Sequence, residues 1–222
     1  MLDARLALAL SLYDPVSLGA DIGTDHAHLP IALLRCGICE RMLLTDISQD
    51  ALNNARNNIR RAGLEDRVEY CLGDGLTPLR EACGYISILG MGGRTIRQIL
   101  LHGENRLQGA GLVLSAHTDL PLVRQALVDI GYHPVSETPC SDAGRFYLML
   151  KALPGPEEMS PREIRLGSRS LFQSSSPALS PYLAHQIQVL EKKRTGLLQS
   201  SRPEENALAQ LEEDLVFLRT QI

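Results

Sequence analysis

The chain has 222 residues, 44% of them hydrophobic and 22% charged, with a formal net charge of −4. That size bounds one large domain, or one domain with a small appendage. No apolar run is long enough to span a membrane, and any contact with nucleic acid must come from local patches because there is no global basic excess.

The opening stretch, MLDARLALALSL, reads as an amphipathic helix. Asp3 interrupts what would be the charged start of a secretory signal, and no small-residue cleavage site follows. Five cysteines, an odd number, predict free thiols in a reducing cytoplasm. Cys36 and Cys39 form a C-x-x-C without a second pair, which predicts core thiols at a helix end and no metal site.

From 16 to 152, β-rich runs alternate with helical patterns, which predicts a mainly parallel sheet covered by helices. Strands are expected at 16–21, 41–46, 67–72, 85–90 and 111–116, and helices at 29–35, 49–62, 93–102 and 119–130. Ser48 and Thr118 are the expected N-caps, and Gly63 and Gly131 the expected stops. Runs at 132–138 and 144–151 form a hairpin, making a seven-stranded sheet whose last strand is antiparallel. ALPGPEEMSP is a linker, and the chain divides at 152/153 into a sheet domain and a C-terminal helical domain. In the latter, Leu183, Ile187, Leu190 and Leu197 face Leu208, Leu211, Leu215, Leu218 and Ile222 in a coiled-coil-like antiparallel hairpin. Ser201 and Glu204 have capping-box spacing between the two helices. The seam could pack within one chain or support a weak dimer.

Open parallel sheets bind ligands outside the carboxyl ends of their strands. Here those ends read Asp21-Ile22-Gly23-Thr24-Asp25-His26, Thr45-Asp46-Ile47-Ser48, Gly73-Asp74-Gly75 and Gly90-Met91-Gly92-Gly93. Gly23 permits close backbone approach. Asp46 is placed to accept from both ribose hydroxyls and Asp74 from an adenine amino group, so the tips describe a nucleoside pocket. A dinucleotide needs a G-x-G-x-x-G turn for its pyrophosphate, and Asp21 and Asp25 would repel it. S-adenosylmethionine, with a sulfonium and an ammonium, suits the acidic flanks better. The alternative is that Asp21 and Asp46 only cap helices. Gly92 and Gly93 leave room for a bulky acceptor.

Asp21-Ile-Gly-Thr-Asp-His-Ala-His-Leu-Pro30, Gly73-Asp-Gly-Leu76 and Gly90-Met-Gly-Gly93 resemble the signature motifs of the bacterial tRNA adenine-N1-methyltransferases of the TrmK type. The resemblance extends over essentially the whole chain. It implies a class I methyltransferase, Rossmann-like fold, S-adenosylmethionine as donor, and methylation of N1 of adenine 22 in tRNA. Two departures stand out: His28 where the family usually has Tyr, and Ser115-Ala116-His117-Thr118 where it commonly has Leu-Gln-Pro-Asn.

On that reading the donor is held by Asp21, Gly23, Thr24, Asp46, Ile47, Gly73, Asp74, Gly75, Gly90 and Met91. Asp25 is the expected stabiliser of the ring that becomes cationic, with His26 positioning the base. His28, Gly92, Gly93 and His117 border the acceptor. Arg162, Arg165 and Arg169 share one face if 161–171 is helical, and are the expected tRNA contacts; Arg56, Arg60 and Arg61, or Lys192-Lys193-Arg194, are other basic sets. The competing readings are a class I methyltransferase acting on another RNA site or a small molecule, a non-catalytic RNA-binding module on the same core, and a nicotinamide dehydrogenase.

Overall fold

The computed structural model describes residues 2–199 and 205–222. Helix α1 (Ala4–Ser11) opens the chain; the Asp3 carboxylate caps it by accepting from the Leu6 N–H at 2.7 Å. Strand β1 (Val16–Ile22), α2 (His28–Arg35), β2 (Cys39–Asp46), α3 (Gln49–Ala62) and β3 (Val68–Leu72) follow. Ser48 caps α3, and Gly63 ends it at φ +69, a left-handed conformation that suits glycine. Next come β4 (Tyr85–Met91), α4 (Gly93–His102), α5 (Glu104–Leu107), β5 (Gly111–Ala116), α6 (Leu120–Asp129), β6 (Tyr132–Asp142) and β7 (Arg145–Pro154).

These strands form one seven-stranded sheet in the order β3-β2-β1-β4-β5-β7-β6. The first five strands run parallel, and β7 inserts antiparallel between β5 and β6. Both faces are covered, which is why the strands read as near-continuous apolar runs. Ala20, Ile22, Ile86, Ile88, Leu112 and Leu114 point to one face. Met42, Leu44, Val113 and Met149 point to the other, against α1–α3. The period-two alternation of side chains produces this division.

The C-terminal elements are α7 (Pro161–Leu166), α8 (Arg169–Phe172), α9 (Leu179–Leu198) and α10 (Glu205–Arg219). Leu171, Tyr182, Leu183 and Leu218 join the same apolar cluster as Leu112 and Leu114, so this segment is seated on the sheet layer. On α10, Leu211, Leu215 and Leu218 are buried, while Ile222 lies past the helix end and is exposed. Asp214 is buried in the same seam, and its two oxygens accept from Arg165 at 2.9 and 3.0 Å. The expected Ser201/Glu204 box lies outside the described residues.

Three local expectations are corrected. Asp119, at φ +54, and not Thr118, occupies the N-cap of α6; the Thr118 hydroxyl donates to Asp119 Oδ2 instead. A single helix over 161–171 does not form, because Gly167 breaks it at φ +140. Of this pair, Cys36 is exposed at the end of α2 and Cys39 alone is a core thiol, its pKa pushed up to about 11 by burial.

Arg124 of α6 and Glu137 of β6 are 1% and 0% exposed and meet in a two-pronged ion pair at 2.8 and 2.9 Å. Removing one partner strands the other charge without water or counter-ion. Arg124→Met should cost about 3–5 kcal/mol of stability by urea unfolding, whereas replacing both partners by apolar residues should recover much of that loss. A loss in the double variant equal to the sum of the two single-variant losses would show that the pair is not coupled.

Candidate active site

The parallel register sets Asp21, next to last in β1, opposite Ser87 of β4. Ser87 is fully buried, and its hydroxyl donates to Asp21 Oδ1 at 2.6 Å. Burial pushes the Asp21 carboxyl up to about 6; hydrogen bonding from Ser87 offsets only part of this, and the Asp46 charge raises it further. This carboxyl is poised for a cation to hold it ionised.

Beyond β1 the chain turns at Gly23, φ +74, where the Gly23 and Thr24 N–H groups donate to Thr45 O at 2.8 and 3.0 Å. A Cβ at position 23 would collide with Met91 Cε as well as strain the turn. Asp25 and His26 follow, more than half exposed, with His26 Nε2 3.1 Å from Asp25 Oδ2. Helix α3 braces this loop from outside. Asn54 donates to Asp25 Oδ1 at 3.3 Å, and Asn58 donates to the His26 carbonyl at 3.0 Å. The His28 ring stacks on His26 with centroids 5.6 Å apart.

Gly90, at φ +76, forms the facing wall; a Cβ there would stand 3.6 Å from Arg5 Nη1 and 3.8 Å from His117 Nε2. The His117 N–H donates to Met91 O at 2.9 Å, and its ring meets Tyr147 edge-on at 6.1 Å. These walls enclose a cleft of about 330 Å³, whose ionisable lining is Arg5, Asp21, Asp25, His26, His28 and His117.

The remaining expected strand-tip residues do not line this cleft. The Gly73 N–H donates to Asp46 O at 3.0 Å, which joins the tips of β2 and β3. Asp46 Oδ1 accepts from the Ser48 N–H at 2.8 Å, and Ile47 is 76% exposed beside it. Asp74 and Gly75 border a separate hollow of about 170 Å³ against α4. Gly92 and Gly93 do not open onto the cleft. Gly93 is buried, donates to Thr118 O at 3.0 Å, and leaves a Cβ position only 2.6 Å from that oxygen, so the glycine serves close packing of α4 on the 118–119 backbone.

The three arginines of 162–169 do not form one face. Arg165 is committed to Asp214, Arg162 lies over the Phe217 ring at 5.0 Å, and Arg169 shares a hollow with Glu157, Glu158 and Glu163. Sequence reasoning missed Arg5, Ser87, Asn54, Asn58 and Tyr147. Ser87, a polar residue within an apolar strand, and the two asparagines four residues apart on α3 were the available signals.

A family profile described as a methyltransferase domain matches residues 2–150. The chain belongs to the methyltransferase-domain family. The tRNA (adenine(22)-N(1))-methyltransferase of Bacillus subtilis (strain 168) is 28% identical over 186 residues, covering 82% of this chain and 75% of the relative. A Streptococcus pneumoniae protein described as a candidate tRNA (m1A22) methyltransferase superposes with a TM-score of 0.87 at 27% identity, covering 100% of this chain and 99% of that one. TrmK from M. capricolum, solved with S-adenosyl-homocysteine, superposes with a TM-score of 0.82 at 25% identity, covering 99% and 97%. Among the described residues no helix is long and apolar enough to cross a membrane.

A carboxyl raised from 3.8 to about 6 by folding disfavours the ionised folded state by roughly 3 kcal/mol. Its contribution to stability is full below the unfolded value and is lost as pH rises through about 6. Asp21→Asn should therefore be more stable than wild type above pH 6, with the gap closing towards pH 4. Urea unfolding at several pH values checks this, and a gap independent of pH would contradict it.

Proposed function

We propose that the protein transfers a methyl group from S-adenosylmethionine to N1 of adenine 22 in tRNA. The observation that carries the reading is the buried, raised-pKa Asp21 carboxyl in an acidic, glycine-walled cleft at the strand tips. The donor set fits the cofactor. Asp21 suits its ammonium, Asp46 retains an oxygen for the ribose hydroxyls, and exposed Ile47 offers an apolar face for the adenine. When bound, S-adenosylmethionine supplies an electrophilic methyl group on sulfur. The named function of the relatives supports the same substrate class.

N1 of adenine already carries a lone pair, so the protein need not remove a proton before attack. Its task is alignment and electrostatics. Methylation leaves the ring cationic, and Asp25, braced by Asn54, places a carboxylate at the cleft mouth to stabilise that charge. The stacked His26 and His28 rings offer a flat edge against which an extruded base can be held. N1 is hidden in a base pair, so the target must be unpaired or flipped out. Phosphate contacts fall to exposed cations outside the acidic cleft, among them Arg162 and Arg94, the latter 82% exposed at the start of α4. The donor, the tRNA and a cytoplasmic setting form one consistent reading; the chain acts as a monomer or weak dimer.

Incubation with labelled donor and an unmodified tRNA transcript, followed by nucleoside mapping, tests the proposal. The expected product is N1-methyladenosine at position 22; label at another nucleotide, or none in tRNA, would overturn it. Asp25→Asn should lower turnover at least tenfold while leaving donor affinity within twofold by calorimetry. Full turnover would remove Asp25 from the chemistry.

A further inference from the structure

We infer that Arg5, on the N-terminal helix, grips the carboxylate of the amino-acid tail of the bound methyl donor. The inference rests on the proposed use of S-adenosylmethionine and adds a residue from outside the strand tips to its site.

The argument begins with charge. The fixed charges lining the cleft are two carboxylates, Asp21 and Asp25, and one guanidinium, Arg5. The donor's ammonium accounts for Asp21 and the cationic methylated ring for Asp25, and the donor's own carboxylate is the one group that an acidic cleft would reject. A single guanidinium on the wall meets that need, because its planar fork matches a carboxylate with two parallel N–H donors. A zwitterionic tail thus finds a negative and a positive partner within one space of about 330 Å³.

The surroundings of Arg5 support a ligand role. Its side chain is 24% exposed, and its nearest carboxylate, Asp3, stands 3.7 Å away, beyond hydrogen-bonding distance. Asp3 is already engaged as the α1 cap through its other oxygen. Among the described residues the Arg5 guanidinium has no hydrogen-bond acceptor. It is held instead over the face of Tyr147, 5.5 Å from the ring centroid, which orients the fork without using its donors. Gly90 lies beside it: a Cβ there would stand 3.6 Å from Arg5 Nη1, in van der Waals contact with the guanidinium.

An acceptor phosphate is the other anion that could reach Arg5. It is disfavoured because a phosphate in this position would also face Asp21 and Asp25, whereas the donor's carboxylate arrives with an ammonium for Asp21.

Calorimetry with two ligands separates these cases. S-adenosylmethionine and its decarboxylated analogue differ only in the group that Arg5 is inferred to hold. Wild type should bind the analogue about 10- to 100-fold more weakly than the donor, the range expected for a lost charge-assisted hydrogen-bond pair. Arg5→Gln should lose a similar factor for the donor yet bind both ligands about equally, while keeping the wild-type melting profile. Arg5→Lys should recover part of the loss, because it restores charge without the fork. Independent, multiplicative losses for variant and analogue would overturn the inference. So would unchanged donor affinity in Arg5→Gln, and a raised tRNA KM in that variant would then assign Arg5 to an acceptor phosphate. Failure of wild type to bind either ligand would refute the proposed function itself and this inference with it.

Discussion

The buried carboxyl of Asp21 is the constraint on which the rest of the site depends. It sits at the tip of a central strand, where parallel pairing with β4 fixes the Ser87 hydroxyl 2.6 Å away. One hydroxyl cannot replace the water lost on burial, so the carboxyl rises to about 6. A fold that keeps such a group at its ligand-binding edge retains an electrostatic strain that a bound cation relieves. The glycine turn at 23 and the absence of a side chain at 90 leave the space in which that cation can be received.

The surrounding architecture holds that carboxyl in place. Side-chain alternation buries both faces of β1 and β4, so neither strand can shift register without turning apolar residues towards the wrong layer. Helix α3 steadies the Asp25–His26 loop through two asparagines on one face. The opposite wall is assembled from distant parts of the chain: Arg5 from α1, His117 after β5, and Tyr147 from β7. Each element is stable for reasons unrelated to the ligand, and the cleft is where they meet.

Much of this was legible in the amino-acid order. The strands and helices followed from periodicity, and α3 was bounded by a serine and a glycine whose chemistry is local. The acidic strand tips were legible because they lie in sequence where the topology places them together. Contacts set by tertiary packing were not. Thr118 has the chemistry of a cap, yet the close approach of Gly93 to the 118–119 backbone gives the position to Asp119. Arg165 has the spacing of a phosphate ligand, yet Asp214 on a remote helix claims it. Arg124 looks like a surface residue of an amphipathic helix until Glu137 is brought against it. Arg5 carried no signal beyond being a cation on the first helix.

Carboxyl carbon NMR of Asp21, titrated with and without S-adenosyl-homocysteine, addresses the central claim most directly. That product keeps the ammonium group but cannot react. The account predicts a midpoint of about 6 in the free protein, displaced well below that value on saturation. An ordinary carboxylate midpoint in the free protein, or one that the ligand leaves in place, would contradict it.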